Sequence, residues 1–184
     1  MHNHLWHSLL SWYEEHKRDL PWRHTHDPYA VLVSEVMLQQ TGVERVVPKY
    51  LAFLERWPTL QALADASTAE VIRLWGGLGY NRRAVWLQLA AREAIGRWGR
   101  LPSDVTNLKS LPGIGPYTAH AVACFAFGAQ VAVTDTNIRR VLTRLVHRPD
   151  DARLSPKQSL ALADEMLPPG RAYEWNQALM DLGA

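Results

Sequence analysis

The chain has 184 residues, a formal net charge of +2, 47% hydrophobic and 21% charged residues, the balance of a folded globular protein and not of a disordered or low-complexity segment. Its one cysteine, Cys124, excludes an internal disulfide and a cysteine-ligated zinc or iron–sulfur site within these residues, and reads as a buried inert thiol in a reducing compartment. No apolar run is long enough to cross a bilayer and the first residues lack a secretory pattern, so a cytoplasmic protein without membrane or metal is expected.

Leu5, Leu9, Trp12 and Tyr13 form one stripe of an amphipathic helix over residues 3–17. Leu20-Pro21-Trp22-Arg23 then breaks it. Arg18, Trp22 and Arg23 make a basic–aromatic cluster that either clamps a base or packs Trp22 onto a core edge, and composition favours packing. From Tyr29 to Thr41 almost every residue before Gln39-Gln40-Thr41 is apolar, which predicts a buried helix. Glu35 stands inside it, with Val31 and Leu32 one turn before and Leu38 and Gln39 one turn after. A carboxylate there either finds a partner or has its pKa raised until it donates a proton near neutral pH, and both readings stand.

Val43 to Trp57 has the rhythm of a core-facing helix, residues 60–64 a short one, and Ser67-x-x-Glu70 the spacing of a capping box. Gly76-Gly77-Leu78-Gly79 then delivers Tyr80, Arg82 and Arg83 to a helix running through Trp98. An aromatic and two arginines on a glycine hinge suit a nucleic-acid contact, and also a helix–helix turn with a packed tyrosine. In Leu111-Pro112-Gly113-Ile114-Gly115-Pro116-Tyr117 the two glycines let the backbone turn tightly and Pro116 opens a helix, so amide groups and a helix N-terminus present a phosphate site. An alanine-rich helix runs to Phe127. Val131-Ala132-Val133 has no strand to pair with and reads as a loop, and Asp135 follows at a helix N-cap position ahead of Arg139 and Arg140. Pro156 opens a helix to Leu167, and a last helix carries Trp175, Leu179 and Met180. These elements predict an all-α fold. Arginines gather at Arg82, Arg83, Arg92, Arg97 and Arg100, and again at Arg139, Arg140, Arg144 and Arg148, local basic patches that permit nucleic-acid binding.

Two carboxyls in unlike surroundings are what cleavage of a glycosidic bond requires. Glu35 is the candidate acid. Asp135, at a helix N-terminus, is expected to stay ionised and to meet a sugar cation. Within a duplex the target base must be flipped out at a cost of about a few kcal/mol. The hairpin and arginines would hold phosphates while Tyr80 or Gln40 fills the vacated stack.

Leu20-Pro21-Trp22-Arg23, Ser34-Glu35-Val36-Met37-Leu38-Gln39-Gln40-Thr41, Gly77-Leu78-Gly79-Tyr80, Leu111-Pro112-Gly113-Ile114-Gly115, Asp135-x-Asn137 and Asn176-Gln177-x-x-Met180-Asp181-Leu182-Gly183-Ala184 occur in this order. In them the chain resembles the helix-hairpin-helix (HhH-GPD) DNA glycosylases and, among these, the adenine glycosylases of the MutY type. The resemblance implies two helical lobes with the active site in the cleft between them: residues 25–132, six helices including the hairpin, and residues 1–24 with 133–184. It implies a monomer, associated with the nucleoid, acting on adenine opposite 8-oxoguanine or guanine in double-stranded DNA. Glu35 becomes the acid for the adenine ring nitrogen, Asp135 the carboxylate facing the sugar cation, and Asn137 the residue that positions Asp135. Tyr117 lines the site where the related bifunctional endonuclease III glycosylases carry a Schiff-base lysine, which implies a monofunctional enzyme. Arg18, Trp22 and Arg23 fall near the extruded adenine, and Gln40 and Tyr80 at the lesion pair. Gln39, Thr41, Arg83, Gly113, Ile114 and Gly115 join the DNA-binding residues.

Two departures accompany the resemblance. Asn81 stands where many relatives have a second tyrosine. The family also continues past Met-Asp-Leu-Gly-Ala into four cysteines that bind a 4Fe–4S cluster, so none of its ligands is expected here, in either a truncated product or a naturally clusterless form. The rival readings are a thymine or uracil mismatch glycosylase of the same fold and a catalytically impaired DNA-binding fragment. Glu35 with the Gln-Gln pair favours adenine over thymine, whose cleavage does not call for this ring-nitrogen acid.

Overall fold

The computed structural model describes residues 2–146 and 153–184, all of them helix or loop with no strand among them. Arg148 lies outside the described residues. The helices are α1 (His2–His16), α2 (Pro28–Leu38), α3 (Val43–Arg56), α4 (Leu60–Asp65), α5 (Thr68–Trp75), α6 (Arg82–Trp98), α7 (Val105–Lys109), α8 (Pro116–Phe127), α9 (Thr136–Val146), α10 (Pro156–Glu165) and α11 (Ala172–Leu182), with a 3₁₀ turn at Pro21–Arg23. They divide into two units: Leu20–Phe127, and Met1–Asp19 with Gly128–Ala184.

The unit Leu20–Phe127 is built around α2, which lies against α8, α3 and α6. Its start is fixed twice. Pro28 presets the first turn, and the Asp27 carboxylate accepts the amides of Tyr29 (2.7 Å) and Ala30 (3.0 Å). Being apolar on every side, the helix buries Leu32, Val33 and Met37 completely. Next to it Phe53 meets Trp57 (4.8 Å) and Trp75 (6.1 Å) edge-on, the preferred geometry for aromatic rings in a core. Tyr29 donates its hydroxyl to the Trp57 carbonyl at 2.8 Å. Burial and then the Asp27 charge push the neighbouring Tyr50 up to about 12, so it stays a neutral phenol. Trp22 is 8% exposed and sits edge-on to Tyr50 at 5.4 Å, so it packs into the core, as composition favoured.

Two local expectations are corrected. The predicted helix over 29–41 stops at Leu38, because Gln40 takes φ +57 and cannot continue it. Ser67 begins α5 without a side-chain cap bond. The capping box is at α10, where Ser155 accepts the Gln158 amide (3.3 Å) and Gln158 Oε1 accepts the Ser155 amide (3.0 Å).

In the other unit α1 lies against α11, and α9 against α10 and α11, over a core that includes Leu9, Tyr13, Ile138, Leu142, Trp175 and Leu179. Each such side chain contributes about 1.5–3 kcal/mol when fully buried. Trp6 anchors the first helix through its indole N–H, which donates to the Met166 carbonyl at 2.7 Å. Residues 131–133 form no strand. Asn176 of α11 supplies their missing partners, accepting the Val133 amide and donating to the Val131 carbonyl, both at 3.0 Å. The same clamp holds the approach to Asp135.

Candidate active site

Glu35 lies in the second half of α2, among apolar residues, and is 5% exposed. The helices packed on α2 include α8, whose first turn carries the half-buried Tyr117. Gln39, just past the end of α2, donates from Nε2 to Thr118 Oγ1 at 3.3 Å. The acid helix is thereby tied to the turn that holds Tyr117. Thr118 was absent from the sequence-based site, since a threonine inside an alanine-rich helix carries no signal of its own.

Arg83 is a correction. Expected on DNA, it is 6% exposed and its guanidinium is committed to the protein. One end donates to the carbonyls of Val36 (2.9 Å), Met37 (3.0 Å) and Gln39, and the other to those of Leu78 and Gly79 and to Thr41 Oγ1. It satisfies carbonyls left over at the end of α2 and places a cation at the negative end of that helix dipole. Burial pulls its pKa below the ordinary arginine value, with Tyr80 opposing. Thr41 is drawn into the same network, its hydroxyl donating to the Leu78 carbonyl at 3.2 Å. What stays outside is Gln40, exposed, and Tyr80, 67% exposed at φ +48 with the Arg83 guanidinium 5.7 Å from its ring. Two non-glycine residues held at positive φ carry the two side chains presented to solvent, a strained arrangement of the kind kept at binding sites.

At the hairpin, only Gly113 of the two glycines has positive φ, +73, and a Cβ there would stand 2.6 Å from Trp86 Cβ. Glycine is required on both counts. Ile114 is 6% exposed and anchors the turn, its amide donating to the Leu111 carbonyl at 3.2 Å. Among the described residues the amides of Gly113 and Gly115 have no intramolecular partner. With the N-terminus of α8 they offer donors of the kind that suit an anion.

In the other unit Asp135 caps α9. Its Oδ1 accepts the Ile138 amide at 2.7 Å. Burial raises its pKa above the ordinary carboxylate value, opposed by the amides of Ile138 and Asn137 and by the Arg140 charge. Burial outweighs the cap, so the shift runs opposite to the one expected from the helix N-terminus alone. Asn137 Oδ1 accepts from Arg140 Nη2 at 3.1 Å, and the same nitrogen donates to the Gly183 carbonyl. A Cβ on Gly183 would lie 2.9 Å from the Asn137 carbonyl carbon and oxygen. Arg140 and Gly183 thus fix Asn137 from two sides. Neither was among the expected site residues, though Arg140 stands one helical turn after Asn137, a spacing that brings side chains together. Arg18, expected near the base, is tied to α11: its Nε donates to Asp181 Oδ1 (2.8 Å) and its amide to Oδ2 (3.2 Å), and the Asp181 side chain is 3% exposed. Arg23 is half-buried.

No group of three or more His, Cys, Asp or Glu able to hold a metal occurs among the described residues. Cys124 is buried in α8, and a single buried thiol does not fit the four thiolates of a 4Fe–4S cluster.

Residues 33–169 match the model of the HhH-GPD superfamily base excision DNA repair protein. The chain belongs to the HhH-GPD superfamily. Within that superfamily it is 51% identical over 179 residues to the adenine DNA glycosylase of Mycolicibacterium smegmatis, covering 96% of this chain and 61% of that protein. It is 45% identical to the human adenine DNA glycosylase, covering 96% of this chain and 35% of that one. The chain thus spans less than two thirds of the length of these relatives. Among solved structures, a thermostable thymine-DNA glycosylase superposes with a TM-score of 0.91 at 31% identity, covering all of this chain and 86% of that one. Endonuclease III trapped on DNA gives 0.82 at 20% identity, covering 98% of this chain and 84% of that one, a likeness of fold alone.

Proposed function

We propose that the chain carries the catalytic residues of a monofunctional DNA glycosylase that releases adenine mispaired with 8-oxoguanine or guanine from double-stranded DNA. The observation that carries this reading is Glu35, a carboxyl 5% exposed within the apolar helix α2. In the proposed chemistry this carboxyl gives a proton to a ring nitrogen of the flipped base. Protonation turns adenine into a leaving group, so the C1′–N bond breaks with its electron pair going to the base. The sugar becomes an oxocarbenium ion, which Asp135 stabilises as the carboxylate before water adds to leave an abasic site. A carboxylate that burial disfavours as an anion gains most where positive charge develops beside it, which is stabilisation of the transition state over the ground state. Asn137, held by Arg140 and Gly183, positions Asp135.

Tyr117 cannot form the Schiff base that strand cutting by a lyase requires, which supports release of the base alone. The free amides of Gly113 and Gly115 suit a DNA phosphate, and Gln40 and Tyr80 the space left by the flipped base. The protein acts as a monomer in the cytoplasm, with the nucleoid, and these 184 residues hold no cofactor. The identity of 51% to an adenine DNA glycosylase supports adenine, while the TM-score of 0.91 to a thymine-DNA glycosylase favours a second reading, removal of mispaired thymine. Single-turnover incubation with duplexes holding A opposite 8-oxoguanine, A opposite G and T opposite G, followed by alkali, separates them. Cleavage of the first two at the adenine is expected. Cleavage of the T·G duplex alone refutes the adenine reading, and cleavage before alkali refutes the monofunctional one.

A further inference from the structure

Helix α6 runs past the hairpin and braces it at two places. Ahead of the turn, Arg97 Nη1 donates to Ser110 Oγ at 2.9 Å. At the turn itself Trp86 closes on the backbone: a Cβ on Gly113 would meet Trp86 Cβ at 2.6 Å, Cγ at 3.0 Å and Cδ2 at 3.2 Å. Gly113 therefore rests on the root of the indole. The rest of the ring is not spent on the core. Trp86 is 38% exposed, and Arg82, one helical turn before it, holds its guanidinium carbon 4.9 Å from the ring centroid. One side chain thus touches the turn whose amides suit a phosphate and carries a cation.

The helix that Arg82 opens does not account for it. Arg82 and Arg83 stand in the first turn of α6, which has no acidic residue, at the positive end of the helix dipole, where a cation is disfavoured. Arg83 escapes by turning its guanidinium to the carbonyls at the end of α2. Arg82 is exposed, and among the described residues no carboxylate pairs with it. A cation over an aromatic face is held there without giving up its N–H donors to an acceptor atom, and a guanidinium fork matches the oxygens of a phosphate. We propose that Arg82 is a contact to the DNA backbone beside the hairpin, and that Trp86 is the residue that positions it there. This rests on the glycosylase reading above only in taking duplex DNA as the ligand; the identity of the released base does not enter. The two arginines after the glycine hinge then divide, Arg83 serving the fold and Arg82 the DNA.

The test is equilibrium binding of an undamaged duplex over a range of salt by the wild type, Arg82→Ala, Arg82→Lys, Trp86→Leu, Trp86→Phe and the double variant Arg82→Ala/Trp86→Leu, with a thermal melt of each. For every phosphate that the protein no longer neutralises, the slope of log K against log salt falls by about 0.9. Arg82→Ala is expected to lose about that much with Tm unchanged, and Arg82→Lys, which keeps the charge, to keep most of the slope. An unchanged slope for Arg82→Ala overturns the proposal; joined to a lower Tm, it shows that Arg82 only covers the indole. Trp86→Leu is expected to weaken binding and Trp86→Phe, which leaves a ring under the cation, to keep most of it. Because Trp86 acts through Arg82, the double variant should bind at least about twofold better than the product of the two single losses predicts. Losses that simply multiply overturn the role given to Trp86. Base release by the wild type separates this contact from the glycosylase reading. Release of thymine with a reduced slope in Arg82→Ala refutes adenine and leaves the contact standing, whereas release of adenine with an unchanged slope does the reverse. Failure of the wild type to bind any duplex overturns both.

Discussion

At Asp135 burial and hydrogen bonding pull the carboxyl in opposite directions, and burial prevails. The folded protein therefore holds that proton more tightly than the unfolded chain does. The contribution of this group to stability is fully present in acid, below its unfolded value, and is lost as pH rises through the folded one. Above that window the buried anion weighs against folding. Asp135→Asn keeps an oxygen for the Ile138 amide and removes the charge. It is expected to raise Tm near neutral pH and to flatten the decline of Tm with pH, read by thermal melts from acid to neutrality. A Tm lower than wild type at neutral pH contradicts this. The same substitution removes the charge that meets the sugar cation, and lowers the single-turnover rate by about 100-fold or more. Gly183→Ala acts on the same group indirectly. Its Cβ would stand 2.9 Å from the Asn137 carbonyl, and such overpacking costs about 1–3 kcal/mol. The expected result is a lower Tm and a lower rate at saturating DNA, and an unchanged rate would show that Asn137 need not stay where Gly183 holds it.

Helix α2 depends on Arg83 for its end. Arg83→Met would leave the carbonyls of Val36, Met37 and Gln39 without their donor. At about 1 kcal/mol or more for each orphaned acceptor the loss is about 3 kcal/mol, or a fall in Tm of about 6–12 °C. Urea unfolding of the variant measures it. A phosphate contact would behave otherwise, with stability kept and the salt slope of DNA binding reduced. This is also where the sequence was hardest to read. The apolar run around Glu35 signalled a buried helix, because burial on all faces leaves a pattern in neighbouring residues. An arginine after a glycine hinge signals exposure, and which carbonyls it will cap is decided by the approach of a helix more than forty residues away. The early stop of α2 was hidden for the same reason, since nothing in Gln39-Gln40-Thr41 forbids another helical turn until the Arg83 network holds it. The fit of Gly183 against Asn137 likewise leaves no local trace.

Across the chain, the all-helical fold and the loop at 131–133 were legible, the first from periodicity and the second from the lack of any strand to pair with. The loop's support, Asn176, was visible only as part of a motif. The two carboxyls occupy separate units, Glu35 in Leu20–Phe127 and Asp135 in the other. The proposed chemistry depends on their division of labour, with one group giving a proton to the base and the other keeping its charge for the sugar. The most direct test is the single-turnover rate of adenine release from a duplex with A opposite 8-oxoguanine, measured near neutral pH for the wild type and Glu35→Gln. The expected outcome is free adenine and an abasic site from the wild type and a loss of about 100- to 10,000-fold in the variant. A near-normal rate for Glu35→Gln would contradict it and leave Glu35 a buried structural residue.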